Sequence, residues 1–459
     1  ESGLADEMVD SADDLAVAMR AWMLSCNGVK PARSQREATA DASAISAARD
    51  SYLKRARANH TPAPFAIVDH VAAFGHDSAA MSAGEMGIFP ELMVGDASKN
   101  LRRVFYLTDS VRKSARGDSG IQRLHVVGAG VMGGDIAAVG AMAGLDVTLT
   151  DMNEAAIDGA IARAAKLFER RLKTDDKIAA AKSRLRADKD GNGAGDADLI
   201  IEAVAEKLAV KQAVFQALEA ASKPDAILAT NTSAIPLEDI ATALKAPERL
   251  IGLHFFNPVP VLPLVEVIWS EFSDQNKVNR GMQFAGRIGK MPIRCKSASG
   301  FLVNRALLPY IFKAIEAVAT GENADLIDEA LVDFGMPMGP IELADQIGLD
   351  VCLDVGVVLG IVPAAKTLLT EKCDAGTIGR KSGSGFYDWD GNRAIRPRQP
   401  KDAAIMAGIV KSMLAPMIDE CQQAVDDGVV DSVDSADAGM IFGIGFPGFR
   451  GGPLNWAKS

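Results

Sequence analysis

The pattern of apolar and polar positions divides the chain into three stretches of different character. Residues 1 to about 115 show the spacing of apolar positions that predicts helices. From residue 121 onward, short runs rich in β-branched residues alternate with helix-like segments. From Gly300, long amphipathic helices are predicted up to about residue 350. The chain is therefore predicted to begin and end with helices and to place its strands in the middle.

The alternating middle stretch predicts a sheet. Its apolar runs predict six strands, at residues 122–127, 146–150, 198–202, 225–229, 249–254 and 264–268. Strands that alternate with helices form βαβ units, and such units build a parallel sheet covered by helices on both faces. The pattern therefore predicts an α/β fold with a mostly parallel sheet.

Two breaks and an internal repeat suggest the domain boundaries. Arg116-Gly-Asp-Ser-Gly120 is a turn-forming linker, and the glycine-rich segment 379–385 interrupts the C-terminal helices. Residues 415–428 repeat the pattern of residues 308–321, and a Gly-Pro pair follows each copy. The predicted domains are a helical segment at 1–118, an α/β domain at 119–298, an all-α domain at 299–395 and a partial second helical repeat at 396–459.

Composition limits the possible classes of protein. A chain of 459 residues is expected to form two to four domains. Its net charge of −11 disfavours a nucleic-acid partner, for which a basic face is typical. The five cysteines form no Cys-x-x-Cys pair, which indicates reduced thiols in the cytoplasm or in an organelle matrix. No apolar run approaches the length of a membrane span, so none is predicted.

No metal site is predicted either. The cysteines and the five histidines are too dispersed along the sequence to suggest a ligand set. Asp188-Lys-Asp190-Gly-Asn192-Gly193 begins like a calcium loop. Leu199 stands where that loop needs a bidentate glutamate, so we interpret the segment as a polar turn.

A glycine turn after the first predicted strand suggests a dinucleotide site. Gly128-Ala-Gly130-Val-Met132-Gly133 separates an apolar run from a helix-forming segment, and Asp151 follows the next strand 23 residues after Gly128. These are the spacings of a turn that cradles a pyrophosphate and of an acid that binds the ribose hydroxyl. Because an acid would repel a 2′-phosphate, NAD is favoured over NADP. The alternative is a glycine-bearing turn without a ligand, which the acid in register disfavours.

A single histidine near the end of another predicted strand suggests a proton acceptor. His254 lies in Gly252-Leu-His-Phe-Phe-Asn257-Pro, and Glu266 follows twelve residues later. Imidazole is a natural general base near neutral pH, and a carboxylate on its second nitrogen would orient the ring. The alternative is a hydrogen-bonded core histidine.

Polar side chains also end the strand predicted at 225–229. Asn231-Thr-Ser233 would lie beyond the carboxyl end of that strand, where open α/β sheets bind ligands. The same residues could instead cap the helix that is predicted around 237–244. Both roles are compatible.

These blocks together resemble the L-3-hydroxyacyl-CoA dehydrogenase family, and more closely the dehydrogenase part of bifunctional enzymes that also carry an enoyl-CoA hydratase. The matching segments are 126–133, Ile201-Glu-Ala-Val-Ala-Glu206-Lys, Asn231-Thr-Ser, His254-Phe-Phe-Asn-Pro, Leu264-Val-Glu-Val-Ile and Gly300-Phe-Leu-Val-Asn304-Arg. The resemblance implies a Rossmann-like domain at 119–298, a C-terminal helical domain and its duplication.

The resemblance also implies roles for individual residues. His254 would be the catalytic base and Glu266 its partner, while Ser233 and Asn304 would contact the substrate hydroxyl and thioester. The residues implied to contact NAD are Gly128, Gly130, Met132, Gly133, Asp151, Val204, Ala205, Glu206, Lys211, Ser233 and Asn257. The implied reaction is the oxidation of 3-hydroxyacyl-CoA to 3-ketoacyl-CoA in fatty-acid β-oxidation. Self-association or association with a thiolase is expected.

The chain departs from the family pattern in two places. Lys296-Ser-Ala-Ser-Gly300 stands where the family usually has an Asp and a Pro before Asn304. Residues 3–9 resemble only the closing segment of a hydratase core, without its oxyanion-hole loop and two catalytic glutamates. Hydratase activity is therefore not expected of this chain, although a full-length parent would have it.

The sequence leaves three alternatives open. The chain could oxidise a small hydroxy acid without CoA, it could be a non-catalytic NAD-binding scaffold, or it could be a truncated, partly active piece of a larger enzyme.

Overall fold

The computed structural model describes residues 21, 42–53, 60–75, 77–360, 362–396 and 402–459. The chain forms two compact units, Glu1–Gly95 and Asp96–Ser459. The resemblance of residues 3–9 to a hydratase lies outside the described residues. Within the described ranges, no helix combines the length and the apolar character needed to cross a bilayer.

In its described part, the first unit is helical, as the sequence pattern predicts. The helices are α1 (Ala42–Leu53), α2 (Pro62–Phe74) and α3 (Ser78–Val94). Helix α2 has proline in its first turn, where the missing N–H has no partner to lose. Helix α3 begins at Asp77, whose carboxylate accepts the backbone N–H groups of Ala79 and Ala80 at 2.9 and 3.1 Å. Proline and an acid cap therefore explain where these two helices begin.

The second unit is built on one sheet of eight strands. They are β1 (Arg123–Val127), β2 (Asp146–Thr150), β3 (Leu185–Ala187), β4 (Leu199–Glu202), β5 (Ile227–Thr230), β6 (Leu250–Phe255), β7 (Leu264–Trp269) and β8 (Met291–Lys296). Their order across the sheet is β3-β2-β1-β4-β5-β6-β7-β8. All neighbours pair in parallel except β6 and β7, which are antiparallel.

The six predicted strands and the mostly parallel sheet are confirmed. Strands β3 and β8 are additions that the apolar pattern does not signal. Strand β3 has only three residues, and β8 contains a proline and two basic residues. Both lie at the edges of the sheet, where a strand needs fewer apolar side chains.

Helices cover both faces of this sheet. One face packs against α5 (Val131–Met142), α6 (Glu154–Arg171), α7 (Asp175–Arg184) and α10 (Gln275–Arg287). The other face packs against α4 (Asp96–Ser114), α8 (Leu208–Ala221), α9 (Leu237–Ala241) and the C-terminal helices. Leu107 and Val111 of α4 are buried in this second core, so the predicted boundary at residue 118 falls inside the second unit.

Over its described residues, 300–360, 362–396 and 402–459, the C-terminal part is helical apart from one short hairpin. Its helices are α11 (Val303–Ala319), α12 (Ala324–Phe334), α13 (Pro340–Ile347), α14 (Leu349–Leu359), α15 (Pro363–Asp374), α16 (Ala403–Asp426), α17 (Val433–Ile444) and α18 (Pro453–Trp456). The hairpin consists of β9 (Asp388–Asp390) and β10 (Arg393–Ile395).

Two buried aspartates show that the internal repeat is structural. Asp328 of α12 accepts the N–H groups at the start of α13, and Asp437 of α17 accepts those at the start of α18. Each capped helix begins at the proline of a Gly-Pro pair. Burial raises the pKa of Asp328 to about 7 and also raises the pKa of Asp437. The same cap has therefore been built twice from equivalent sequence.

Candidate active site

The glycine turn joins β1 to α5 with little room to spare. Gly128 adopts a φ of +105°, and a Cβ there would lie 2.5 Å from the Ala203 carbonyl oxygen. A Cβ on Gly133 would overlap the Gly128 carbonyl oxygen. A Cβ on Gly130, in contrast, would have no atom within 4 Å. Gly128 and Gly133 thus allow close packing, whereas Gly130 leaves uncrowded backbone that a pyrophosphate can approach.

Asp151 lies beside this turn. One of its carboxylate oxygens accepts the Ala129 N–H at 2.6 Å, and the other accepts the Asn153 N–H at 2.9 Å. Arg163 of α6 donates to the Gly130 carbonyl oxygen at 3.1 Å. Asp151 therefore holds the shape of the turn. The position of Arg163 in the sequence carries no signal of its role, because only the packing of α6 brings it here.

His254 and Glu266 lie opposite each other on neighbouring strands. The antiparallel register of β6 and β7 pairs these two residues, and His254 Nδ1 is 2.6 Å from a Glu266 carboxylate oxygen. Both side chains are buried, and the rings of Phe256 and Phe301 flank the imidazole. A carboxylate can only accept, so Nδ1 carries the proton and the Nε2 lone pair is left to act as a base.

The second oxygen of Glu266 is held by the start of a helix. It accepts the backbone N–H groups of Leu302 and Val303, both at 3.0 Å. The Cys295 thiol lies 3.9 Å from the same oxygen. Burial and the neighbouring Glu266 carboxylate raise the pKa of this thiol well above its ordinary value, so it stays neutral. Both carboxylate oxygens of Glu266 are therefore held, one by His254 and the other by two backbone N–H groups.

Ser233 and Asn304 come together from distant parts of the sequence. The Asn304 amide nitrogen donates to the Ser233 carbonyl oxygen at 2.9 Å. The Ser233 N–H donates to a Glu206 carboxylate oxygen at 2.9 Å. Ser233 is exposed and Asn304 is partly exposed, so a ligand can reach both. The nearby Asn231 is buried, and its side-chain oxygen accepts the Phe255 N–H at 2.9 Å.

Residues 231–233 do not cap the helix that follows them. Helix α9 begins after Pro236, and the first N–H of the helix, that of Leu237, donates to the Ser297 hydroxyl at 2.9 Å. The Ser297 hydroxyl in turn donates to Glu238 at 2.6 Å. Ser297 belongs to the segment that departs from the family pattern. Its hydroxyl therefore ties that segment to α9.

A buried ion network lies below Ser233. The Lys211 ammonium is 2.8 Å from Glu202 and 3.1 Å from Glu206, and Lys211 and Glu202 are almost wholly buried. Thr230 donates to Glu202 at 2.7 Å, and Thr232 donates to Glu206. Although burial alone would raise the pKa of Glu206, the Lys211 ammonium and the hydrogen bonds from Thr232 and Ser233 hold it below the ordinary value.

Glu202, a member of this network, is not among the site residues that the sequence predicts. Glu202 ends the otherwise apolar run Leu199-Ile-Ile, and a carboxylate in a buried strand is the available signal. Because Lys211 is buried, its ammonium affects the exposed part of the site through its ion pair with Glu206. Of the other residues implied to contact NAD, Met132 and Val204 are half-buried, while Ala205 and Asn257 are exposed.

Dinucleotide-dependent dehydrogenases bind their ligands beyond the carboxyl ends of parallel strands. In this chain the glycine turn follows β1 and His254 lies near the carboxyl end of β6, and both strands belong to the parallel part of one sheet. Residues 123–298 match the family model of the 3-hydroxyacyl-CoA dehydrogenase NAD-binding domain. Residues 300–389 match that of the 3-hydroxyacyl-CoA dehydrogenase C-terminal domain. The chain therefore belongs to the 3-hydroxyacyl-CoA dehydrogenase family of NAD-dependent oxidoreductases.

Solved structures and curated relatives agree with this assignment. 3-Hydroxybutyryl-CoA dehydrogenase from Escherichia coli K12 is 29% identical with a TM-score of 0.65, over 74% of this chain and 91% of that one. (S)-3-Hydroxybutyryl-CoA dehydrogenase from Ralstonia eutropha is 33% identical with a TM-score of 0.56, over 59% of this chain and 99% of that one.

A longer relative covers more of the chain. The fatty acid oxidation complex subunit alpha of Pseudomonas syringae pv. syringae is 34% identical over 430 residues, which is 87% of this chain and 59% of the relative. The chain thus spans about three fifths of the length of this curated relative.

Proposed function

We propose that this chain oxidises L-3-hydroxyacyl-CoA to 3-ketoacyl-CoA with NAD, as a step of fatty-acid β-oxidation, and that His254 is the catalytic base. The observation that carries the proposal is the 2.6 Å hydrogen bond between His254 Nδ1 and Glu266. Asn304, which binds Ser233, directly follows Val303, whose N–H holds the same carboxylate. The names of the family and of its relatives supply the substrate class.

His254 is suited to accept the proton of the substrate's 3-hydroxyl group. Glu266 orients the ring through Nδ1 and stabilises the imidazolium that forms when Nε2 takes the proton. The fixed carboxylate needs no rearrangement at that moment, because backbone N–H groups already hold its second oxygen. Ser233 and Asn304 would position the hydroxyl and the thioester.

The glycine turn, Asp151 and the start of α5 would hold the dinucleotide. The open backbone at Gly130 fits a pyrophosphate, and Asp151 stands where the adenosine ribose is expected. NAD, when bound, accepts the hydride from C3 of the substrate. The protein's contribution is to align the two reactants, which can supply much of the rate enhancement.

Replacement of the base tests the proposal. His254→Ala should lower turnover of 3-hydroxybutyryl-CoA roughly 10²- to 10⁴-fold while NAD binding is retained, since a general base contributes about that much. NADH formation is followed by the absorbance of the reduced nicotinamide. Turnover within a few-fold of the parent chain would contradict the assignment of His254.

The same assay separates the two catalytic alternatives. Free 3-hydroxybutyrate should give little NADH compared with 3-hydroxybutyryl-CoA, because binding of the CoA part contributes to alignment. Equal rates on both compounds would favour a dehydrogenase of small hydroxy acids. NAD binding without turnover on any acyl-CoA chain length would favour a scaffold.

The wider context is also a proposal. The resemblance to bifunctional enzymes and the dispersed cysteines favour part of a two-activity enzyme in a reducing compartment such as the cytoplasm. The relative named as a subunit of a fatty acid oxidation complex supports the β-oxidation context. We expect no enoyl-CoA hydration by this chain and either self-association or association with a thiolase. A hydratase assay on the purified chain, with co-purification of thiolase from the source cells, tests both expectations.

A further inference from the structure

The second repeat, defined here as residues 402–459, lies directly behind the backbone that holds Glu266. Glu266 accepts the N–H groups of Leu302 and Val303, which are the N-cap and the first residue of α11. The side chains of these two residues are fully buried and belong to the same core as α16 and α17. A shift of α17 against this turn would therefore move the donors that fix the carboxylate.

Two glycines allow α17 to approach this turn closely. Gly439 and Gly443 are four positions apart and so lie on one face of the helix. A Cβ on Gly443 would lie 2.7 Å from Leu264 Cδ2 and 3.1 Å from Val303 Cγ2. A Cβ on Gly439 would overlap Leu302 Cδ2. The leucine methyl groups can turn aside, but Val303 is β-branched and has few alternative rotamers in a helix, so a methyl group on Gly443 would have to push Val303 away by a few tenths of an ångström.

Polar contacts tie the same region to the second repeat. Arg305, in the first turn of α11, donates to Glu420 at 2.9 Å and to Asp427 at 2.7 Å. The Lys296 N–H, at the end of β8, donates to the Val429 carbonyl oxygen at 2.7 Å. The burial of the Arg305 guanidinium lowers its pKa less than the two carboxylates raise it, so the pKa lies above its ordinary value. The second repeat thus binds residues on both sides of the loop 297–302, Lys296 before it and Arg305 after it.

From this geometry we infer that the second repeat is a working part of the dehydrogenase site. Gly439, Gly443 and Arg305 are positioning residues that act on His254 through Glu266. The inference rests on the proposed function for its kinetic readout. Family resemblance explains that the helical domain is duplicated, whereas these contacts assign the second copy a task in the reaction.

The test compares Gly443→Ala and Gly439→Ala with Gly408→Ala. Gly408 is also a helical glycine of the second repeat, but a Cβ there would meet no atom within 4 Å. The first two changes should lower kcat roughly 10- to 100-fold with an unchanged KM for NAD, because small displacements of reacting groups cost about that much. Gly408→Ala should match the parent chain. Equal kcat values for all three variants would overturn the inference.

A second background shows whether the effect passes through Glu266. In Glu266→Gln, the addition of Gly443→Ala should change kcat by less than about two-fold, since residues that act as a unit are not additive. A full additional loss would mean that Gly443 acts by another route, and the inference would be wrong.

Two further measurements distinguish this inference from misfolding of the variants and from failure of the proposed reaction. The surface changes Glu420→Gln and Asp427→Asn, made together, should lower kcat a few-fold with only a small decrease in the unfolding midpoint, because ion pairs near the surface contribute little to stability. The low-field proton resonance of His254 Nδ1–H, observed without substrate, should move in Gly443→Ala and stay in place in Gly408→Ala. If the parent chain shows no turnover, the proposed function fails, but an unmoved resonance in Gly443→Ala is what overturns this inference.

Discussion

The two halves of the site are assembled from contacts of very different reach along the chain. The glycine turn, its helix and Asp151 lie within 24 consecutive residues, and Asp151 binds the turn directly. The base half joins His254 on β6, Glu266 on β7 and the start of α11, and it is backed by α17 more than 130 residues beyond the strands. The cofactor half is therefore a local motif, and the base half is a product of tertiary packing.

This difference predicts which property, NAD binding or turnover, a substitution in each half should impair. Changes in the local half should affect NAD binding and leave the base geometry intact. Changes in the base half should affect turnover and leave NAD binding intact, because the two halves lie on different strands of one rigid sheet. The following expectations test that division, from the largest effect to the smallest.

Glu266→Gln should have the largest effect of these changes. The amide keeps the shape of the side chain but offers a donor to His254 Nδ1, which favours the wrong tautomer of the ring. We expect kcat to fall roughly 10²- to 10⁴-fold, the size seen when an orienting carboxylate is neutralised. The NAD dissociation constant, measured by fluorescence titration, should stay within about two-fold. A weaker affinity for NAD would break the division between the halves.

Lys290 should contribute a pH-dependent stability to the base half. Its ammonium donates to the Leu262 carbonyl oxygen at 2.7 Å and to that of Val259, so it braces the connection between β6 and β7. Burial, reinforced by the nearby Arg171, lowers the pKa of Lys290 from 10.5 to about 8. The folded state therefore binds fewer protons than the unfolded state between pH 8 and 10.5, and stability rises with pH over this window.

Comparison with Lys290→Met isolates this titration. The free energy of unfolding of the parent chain, relative to the variant, should rise between these two pH values by at most about 3 kcal/mol, as 1.36 kcal/mol per unit of pKa implies. Urea unfolding at several pH values measures it, and Lys411→Met, at an exposed lysine, is the control. A flat difference would show that Lys290 keeps its ordinary pKa.

Gly128→Ala should weaken the cofactor half. Alanine would have to adopt a φ of +105° and would approach the Ala203 carbonyl oxygen. We expect a loss of about 1–3 kcal/mol in the free energy of unfolding and a clearly weaker affinity for NAD. Gly144→Ala is the matched control, because Gly144 also has a positive φ, of +86°, but has open space around it. An equal affinity for NAD in both variants would show that the close approach at Gly128 is unimportant.

Asp151→Asn should have the smallest effect. The amide oxygen can still accept the Ala129 N–H, so the glycine turn keeps its shape, while the charge and the hydrogen bond from the Asn153 N–H are lost. The preference for NAD over NADP should fall roughly 10-fold, because like-charge repulsion of the 2′-phosphate is removed. The ratio of kcat/KM for the two cofactors measures this preference. An unchanged ratio would place the discrimination elsewhere.

Much of the fold followed from local patterns, and the exceptions have physical causes. The six apolar strands were predictable because buried parallel strands are nearly continuous apolar runs. Strand β8 was not, because its proline and basic residues suit only an edge. Helix α4 was assigned to the N-terminal segment, since nothing in its sequence shows that Leu107 and Val111 pack against a core formed far along the chain.

The same division runs through the site. The sequence could suggest His254 and Glu266 as partners but could not show that an antiparallel register places them face to face. Glu202 carried a visible signal, a carboxylate in an apolar run, whereas Arg163 and the N–H groups of Leu302 and Val303 carried none. A backbone donor has no identity in the sequence, so its role appears only in the fold.

By itself, the sequence determined the six apolar strands and the alternation of strands and helices, the glycine turn with its acid, and the family resemblance, because each depends on residues close together along the chain. Only the tertiary structure decided that β7 runs antiparallel to β6, that Glu266 binds His254, and that the second repeat packs behind Glu266. These features depend on which distant surfaces pack together, and that choice is made by the buried core as a whole rather than by any one segment.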